Sequence, residues 1–66
     1  MKSIIRRTRG RAKAEIVVYD DHSASFHLYD PARGLSFTQQ CTQDEAIHAI
    51  NRFIGGHDIT PQEVKT

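Results

Sequence analysis

Two alternating runs separated by a short turn-forming break set the tightest limits on how this chain folds. In Ala24–Tyr29, Ala24, Phe26 and Leu28 fall on one side of an extended strand, and Ser25, His27 and Tyr29 on the other. The break that follows, Asp30-Pro31-Ala32-Arg33-Gly34, has Asp at the first turn position and Pro at the second. Gly34 stands where a left-handed residue closes a type I turn with a bulge. Leu35–Gln40 then alternates again, with Leu35 and Phe37 on the apolar side. This is the pattern of a β-hairpin with one face buried.

A further strand is expected over Ala14–Tyr19, which is dense in β-branched and aromatic residues. Ile16 and Val18 share a face with Ala14, while Val17 and Tyr19 take the other. Asp20-Asp21-His22-Ser23 interrupts the run with turn-forming residues. Lys2–Thr8, with Ile4 and Ile5, reads as an edge strand, the alternative being a disordered basic arm.

A helix is expected over Gln43–Ile54. Thr42 and Glu45 have the spacing of a capping box, in which each side chain reaches the other's backbone N–H. Cys41 before the cap and Ala46 after it have the spacing of a hydrophobic staple. Ala46, Ile47, Ile50, Phe53 and Ile54 recur at three and four residues and line one stripe. Asp44 and Glu45 suit the positive end of the helix and Arg52 the negative end. Gly55-Gly56 supplies a left-handed C-cap. Beyond it, Asp58–Lys65 reads either as a short return strand or as a tail after Pro61.

Short connections make neighbouring strands antiparallel. The expectation is therefore one α+β domain over residues 1–66: a three- to four-stranded antiparallel sheet covered on one face by a single C-terminal amphipathic helix, with residues 1–13 as a basic N-terminal arm or edge strand. The helix would cover Ile16, Val18, Phe26, Leu28, Leu35 and Phe37. Val17, Tyr19, His27, Tyr29 and Thr38 would face solvent or a partner.

Sixty-six residues with 38% hydrophobic content and no Trp make a thin core, so self-association as a homodimer is a natural source of extra stability. No stretch approaches the ~20 apolar residues of a membrane span. Met1–Arg7 carries charge with no apolar run behind it and does not read as a secretory signal. A lone Cys41 excludes an internal disulfide framework and points to a reducing, cytoplasmic setting.

Net charge is +1, but it is unevenly spread. Residues 1–13 carry Lys2, Arg6, Arg7, Arg9, Arg11 and Lys13, or +6 with no acid. The rest carry Arg33, Arg52 and Lys65 against eight acids, or +3 − 8 = −5, and +6 − 5 restores +1. Clustered Lys and Arg suit a phosphate backbone or an acidic protein patch. A solvated segment that only keeps the chain dispersed is the plainer reading.

Catalytic and metal chemistry find little footing. His22, His27, His48 and His57 form no HxH or HExxH pattern, and the one Cys excludes CxxC, so no metal and no cofactor are expected. Cys41 and His48 lie seven residues apart, nearly two helical turns. A thiol near a helix N-terminus gains some reactivity, but the staple accounts for Cys41 more simply. The acids offer no general acid/base pair and there is no Gly-rich phosphate loop. The chain reads as a binding protein and not as an enzyme. Candidate contact residues are Arg6, Arg7, Arg9, Arg11 and Lys13 of the basic segment, with Tyr19, His27, Tyr29 and Arg33 on the strands and hairpin.

Three resemblances follow from this order of elements. Tyr29–Gly34 through Thr42–Ile47 resembles the arm-type DNA-binding domain of phage integrases, over about residues 13–54. That resemblance implies a three-stranded sheet entering the major groove, one helix packed behind it and a basic arm before the first strand. Phe37–Ala46 resembles the strand-to-helix passage of HicB-type antitoxins. In size and layout the whole chain is similar to small phage-encoded inhibitors, including anti-CRISPR proteins, which implies a host protein or nucleoprotein complex as partner. The expected function is inhibition or regulation of such a complex by binding, with nucleic-acid binding as the alternative.

Overall fold

A computed structural model describes residues 2–64. Four strands, β1 (Ser3–Arg9), β2 (Ala12–Val18), β3 (Ser23–Asp30) and β4 (Leu35–Thr42), are followed by helix α1 (Gln43–Ile54) and a one-turn helix α2 (Pro61–Val64). The strands form a single antiparallel meander in the order β1-β2-β3-β4. The expected α+β class, the four-stranded alternative and the helix bounds are all present. The basic N-terminal segment is an edge strand and not an arm.

Each connection has its own turn chemistry. Arg9 pairs with Ala12 across the two-residue loop Gly10-Arg11, and Gly10 at φ 62° takes the left-handed position that such tight hairpins need. Between β2 and β3, the His22 N–H donates to the Tyr19 carbonyl at 3.1 Å and the Tyr19 N–H to Ser23 at 2.9 Å. That turn places His22 at φ 68°, where glycine is the usual occupant. The Asp30–Gly34 hairpin forms as the sequence predicts, with Gly34 at φ 64°.

The register fixes which residues share a face. Ile5, Ile16, Phe26 and Gln39 form one cross-strand row, and Arg7, Ala14, Leu28 and Phe37 the next. These rows lie under α1, where Ile16, Phe26, Leu28, Ala46, Ala49, Ile50 and Phe53 are buried together. Ala49 belongs to the helix's buried stripe, whereas Ile54 is 48% exposed, so the stripe runs Ala46-Ala49-Ile50-Phe53. Ile47 and Ile54 belong to the stripe that the sequence spacing predicts; at 100° per residue both fall beyond its edge, Ile47 half-buried and Ile54 exposed.

Both ends of α1 are closed. Thr42 Oγ1 accepts from the Glu45 N–H at 3.2 Å, and a Glu45 carboxylate oxygen accepts from the Thr42 N–H at 2.9 Å, completing the capping box. At the other end the His57 N–H donates to the Arg52 carbonyl and the Gly56 N–H to the Phe53 carbonyl, with Gly56 at φ 97°. This is a Schellman closure. The segment after it is neither strand nor trailing tail. Thr60 caps α2, Pro61 opens it, and Ile59 and Val64 are each 1% exposed in the core. Lys65, the last residue of that expected segment, lies outside the described residues.

Candidate binding surface

The helices leave one face of the sheet uncovered. Pairing places three rows there: Thr8, Lys13, Tyr29 and Ser36; Arg6, Glu15, His27 and Thr38; Ile4, Val17, Ser25 and Gln40. With strands about 4.8 Å apart and rising about 3.4 Å per residue, the three rows span roughly 14 by 14 Å. Hydroxyls, amides, an imidazole and a phenol dominate it. Its charges are Arg6, Lys13 and Glu15.

Two contacts order the middle of this face. Arg6 Nε donates to a Glu15 carboxylate oxygen at 2.7 Å across β1 and β2, and His27 Nδ1 lies 2.9 Å from Thr38 Oγ1 across β3 and β4. Lys13, Glu15, His27, Tyr29, Ser36 and Thr38 ring a shallow depression of about 290 Å³ that Leu28 and Phe37 also line. Tyr29 is 53% exposed at its rim. Tyr19, just past the end of β2, borders a neighbouring depression with Ser25 and Gln40.

The basic segment does not form one patch. Successive strand residues point to opposite faces, so the pair Arg6-Arg7 is necessarily divided. Arg6 and Lys13 look out from the open face, and Arg11 sits in the β1–β2 turn. Arg7 lies on the helix side of the edge strand and donates to the Arg6 carbonyl at 2.7 Å.

Arg9 turns inward and is built into the fold. Its guanidinium donates to the Phe53 carbonyl at 2.5 Å and the His57 carbonyl at 3.2 Å, and stacks 4.7 Å over the Phe53 ring. A cation at these carbonyls suits the negative end of α1. Arg33, at the hairpin tip, forms an ion pair with Asp58 at 3.2 Å, and Arg9 lies 3.9 Å from the same carboxylate. Of the nine candidate contact residues, the open face therefore brings together Arg6, Lys13, His27 and Tyr29, with Tyr19 at its margin. Arg9 and Arg33 are drawn to the opposite layer. Hydroxyl and amide residues of the face, Thr8, Ser36 and Gln40, are missed by a search for charge and aromatics; strict alternation along β1 and β4 is the signal that finds them.

At the sheet's other end, Asp21 accepts from both the hydroxyl and the N–H of Ser23, and these bonds hold its carboxyl below the ordinary value. A depressed carboxyl favours the fold above its ordinary titration range and loses that contribution as pH falls through the lowered value. Cys41 lies in β4, half-buried against the core, and not on the helix with exposed His48. Among the described residues no group of three or more His, Cys, Asp or Glu side chains is placed to hold a metal ion, and no helix is long and apolar enough to cross a membrane.

These features define a class by architecture: a small α+β domain with a helix layer on one side and a bare, polar sheet face on the other. No protein-family model, curated protein or solved structure matches the chain.

Proposed function

We propose that this chain is a non-catalytic binding protein that docks on a larger protein or nucleoprotein partner through the open face of its sheet. The observation that carries this reading is the composition of that face. Twelve strand positions look out from it, and only Ile4 and Val17 are aliphatic. Apart from Ser25, which is buried, the remainder offer donors and acceptors on a backbone that β-pairing holds rigid, beside an exposed Tyr29 that supplies area at low entropic cost. In its concrete form the protein is an inhibitor or regulator of the kind phages and mobile elements encode against a host complex, anti-CRISPR proteins included.

A protein surface is favoured over a bare polyphosphate by the charge layout. Arg6 is engaged with Glu15, and Arg9 and Arg33 with the opposite layer, so few cations look outward from the sheet. Integrase-type duplex binding and a HicB-like antitoxin role rest on the same sheet-and-helix arrangement. Duplex binding has its own signature, an affinity that falls steeply with salt as counterions are released.

The test is capture from host lysate with the wild-type chain and with a Lys13→Glu, Tyr29→Ala double variant that keeps the far-UV spectrum. The proposal predicts a defined complex that the variant loses by at least about tenfold, as expected when an aromatic anchor of the contact is removed. A partner retained equally by both proteins would overturn the open face as the contact. A short duplex shifted at low salt and released by about 200 mM salt would replace this reading by the nucleic-acid one.

A further inference from the structure

We infer that β4 is a pairing edge for a second copy of this chain, giving a homodimer with one continuous eight-stranded sheet. The two edges of the sheet are built differently. Edge β1 carries exposed Arg6 and Arg7, and arginines along an edge oppose strand addition because self-pairing sets like charges against each other. Edge β4, Leu-Ser-Phe-Thr-Gln-Gln-Cys-Thr, runs eight residues with no charge, no proline and no glycine. A long, uncharged edge of this kind carries none of the usual guards.

Its outward backbone groups follow from the ladder. The two-residue loop makes Arg9 and Ala12 a hydrogen-bonded pair, and strict alternation across the meander then turns Leu35, Phe37, Gln39 and Cys41 toward β3. Ser36, Thr38 and Gln40 point their N–H and C=O groups outward, and all three residues are exposed. Two side chains agree with this assignment. Arg7 donates to the Arg6 carbonyl on one edge, and Gln39 Nε2 to the Gln40 carbonyl at 3.0 Å on the other, as outward carbonyls allow. Among the described residues, no backbone bond outside the ladders uses the N–H of Ser36, Thr38 or Gln40.

Antiparallel pairing about a two-fold axis at Thr38 sets Thr38 opposite Thr38 of the second copy and Ser36 opposite its Gln40. On the helix side, Leu35 then meets Cys41 and Phe37 meets Gln39. Leu35, Phe37 and Cys41 are only half-buried in the single chain, so the same contact extends the core. The axis is perpendicular to the sheet, so both open faces look the same way. One face is roughly 200 Å², so two faces side by side double the flat area that a partner can meet.

The edge assignment stands apart from the open-face reading, and its test needs no partner. Sedimentation of the wild-type chain is expected to show a dimer of the 7.5 kDa chain, and Thr38→Pro a monomer with unchanged far-UV spectrum. Proline removes an outward N–H while sparing the β3–β4 ladder, so the dissociation constant should rise about tenfold or more. Hydrogen exchange on the wild type should show Ser36, Thr38 and Gln40 amides protected. A wild-type chain monomeric at ~0.5 mM, about the concentration of a millimolar-affinity limit, would overturn the inference. So would a dimer that survives Thr38→Pro, or free exchange of those three amides, and the exchange result decides even where the variant fails to fold.

Discussion

Arg9 and His22 show what single residues contribute. Arg9 joins the β1–β2 hairpin to the C-terminus of α1 through two carbonyls, a ring and Asp58. Charge-assisted bonds of this kind each contribute about 1.5–3 kcal/mol, and a part-exposed site discounts that. Arg9→Ala should therefore lower stability by about 2 kcal/mol in urea unfolding, while Arg6→Ala, on an exposed pair, should change it by under ~1 kcal/mol. Equal effects would remove the distinction between the two arginines. His22 holds a left-handed backbone at φ 68°. His22→Gly should raise stability by about 1 kcal/mol, the cost of that conformation for a residue with a Cβ; a loss would mean that its side chain carries an unrecognised contact. Neither role was legible beforehand. Arg9 reads as one more charge in a basic run because only the strand's register decides which arginines turn inward, and the positive φ at His22 has no glycine to announce it.

At the scale of elements, local chemistry spoke clearly wherever a side chain closes a backbone turn. The capping box, the Gly55-Gly56 stop and the Asp30–Gly34 hairpin all stand as their residues predict. The β1–β2 turn was less visible because Gly10-Arg11 sits within a charged stretch that also reads as an arm. The segment after α1 illustrates a different failure. Thr60-Pro61-Gln62-Glu63 repeats the Thr-x-x-Glu spacing of the first helix start, but it opens only four residues, too few for periodicity to register. Its value comes from packing: Ile59 and Val64 close the core beside α1 and β4. Ile59→Ala should cost about 2–4 kcal/mol in chemical unfolding. A cost under ~1 kcal/mol would place the segment outside the cooperative unit.

For the whole molecule, the division into a helix layer and an open sheet face follows from one decision, that most apolar residues of the strands, Ile4 and Val17 aside, fall on the same side. Alternation in β2, β3 and β4 made that face readable in advance. The contact surface was less so. Charge drew attention to residues 1–13, yet strand geometry shares those cations between two faces and the fold claims Arg9 for itself. What remains outward is a donor-rich plane with Arg6, Glu15, His27 and Thr38 across its middle and Lys13 and Tyr29 in the row beside them. The measurement closest to that claim is quantitative binding of the captured partner to the wild-type chain and to the Lys13→Glu, Tyr29→Ala variant, with Arg7→Ala on the helix side as control. Affinity lost by about tenfold or more in the double variant and kept by the control is the predicted result. Affinity kept by the double variant and lost by the control would contradict it.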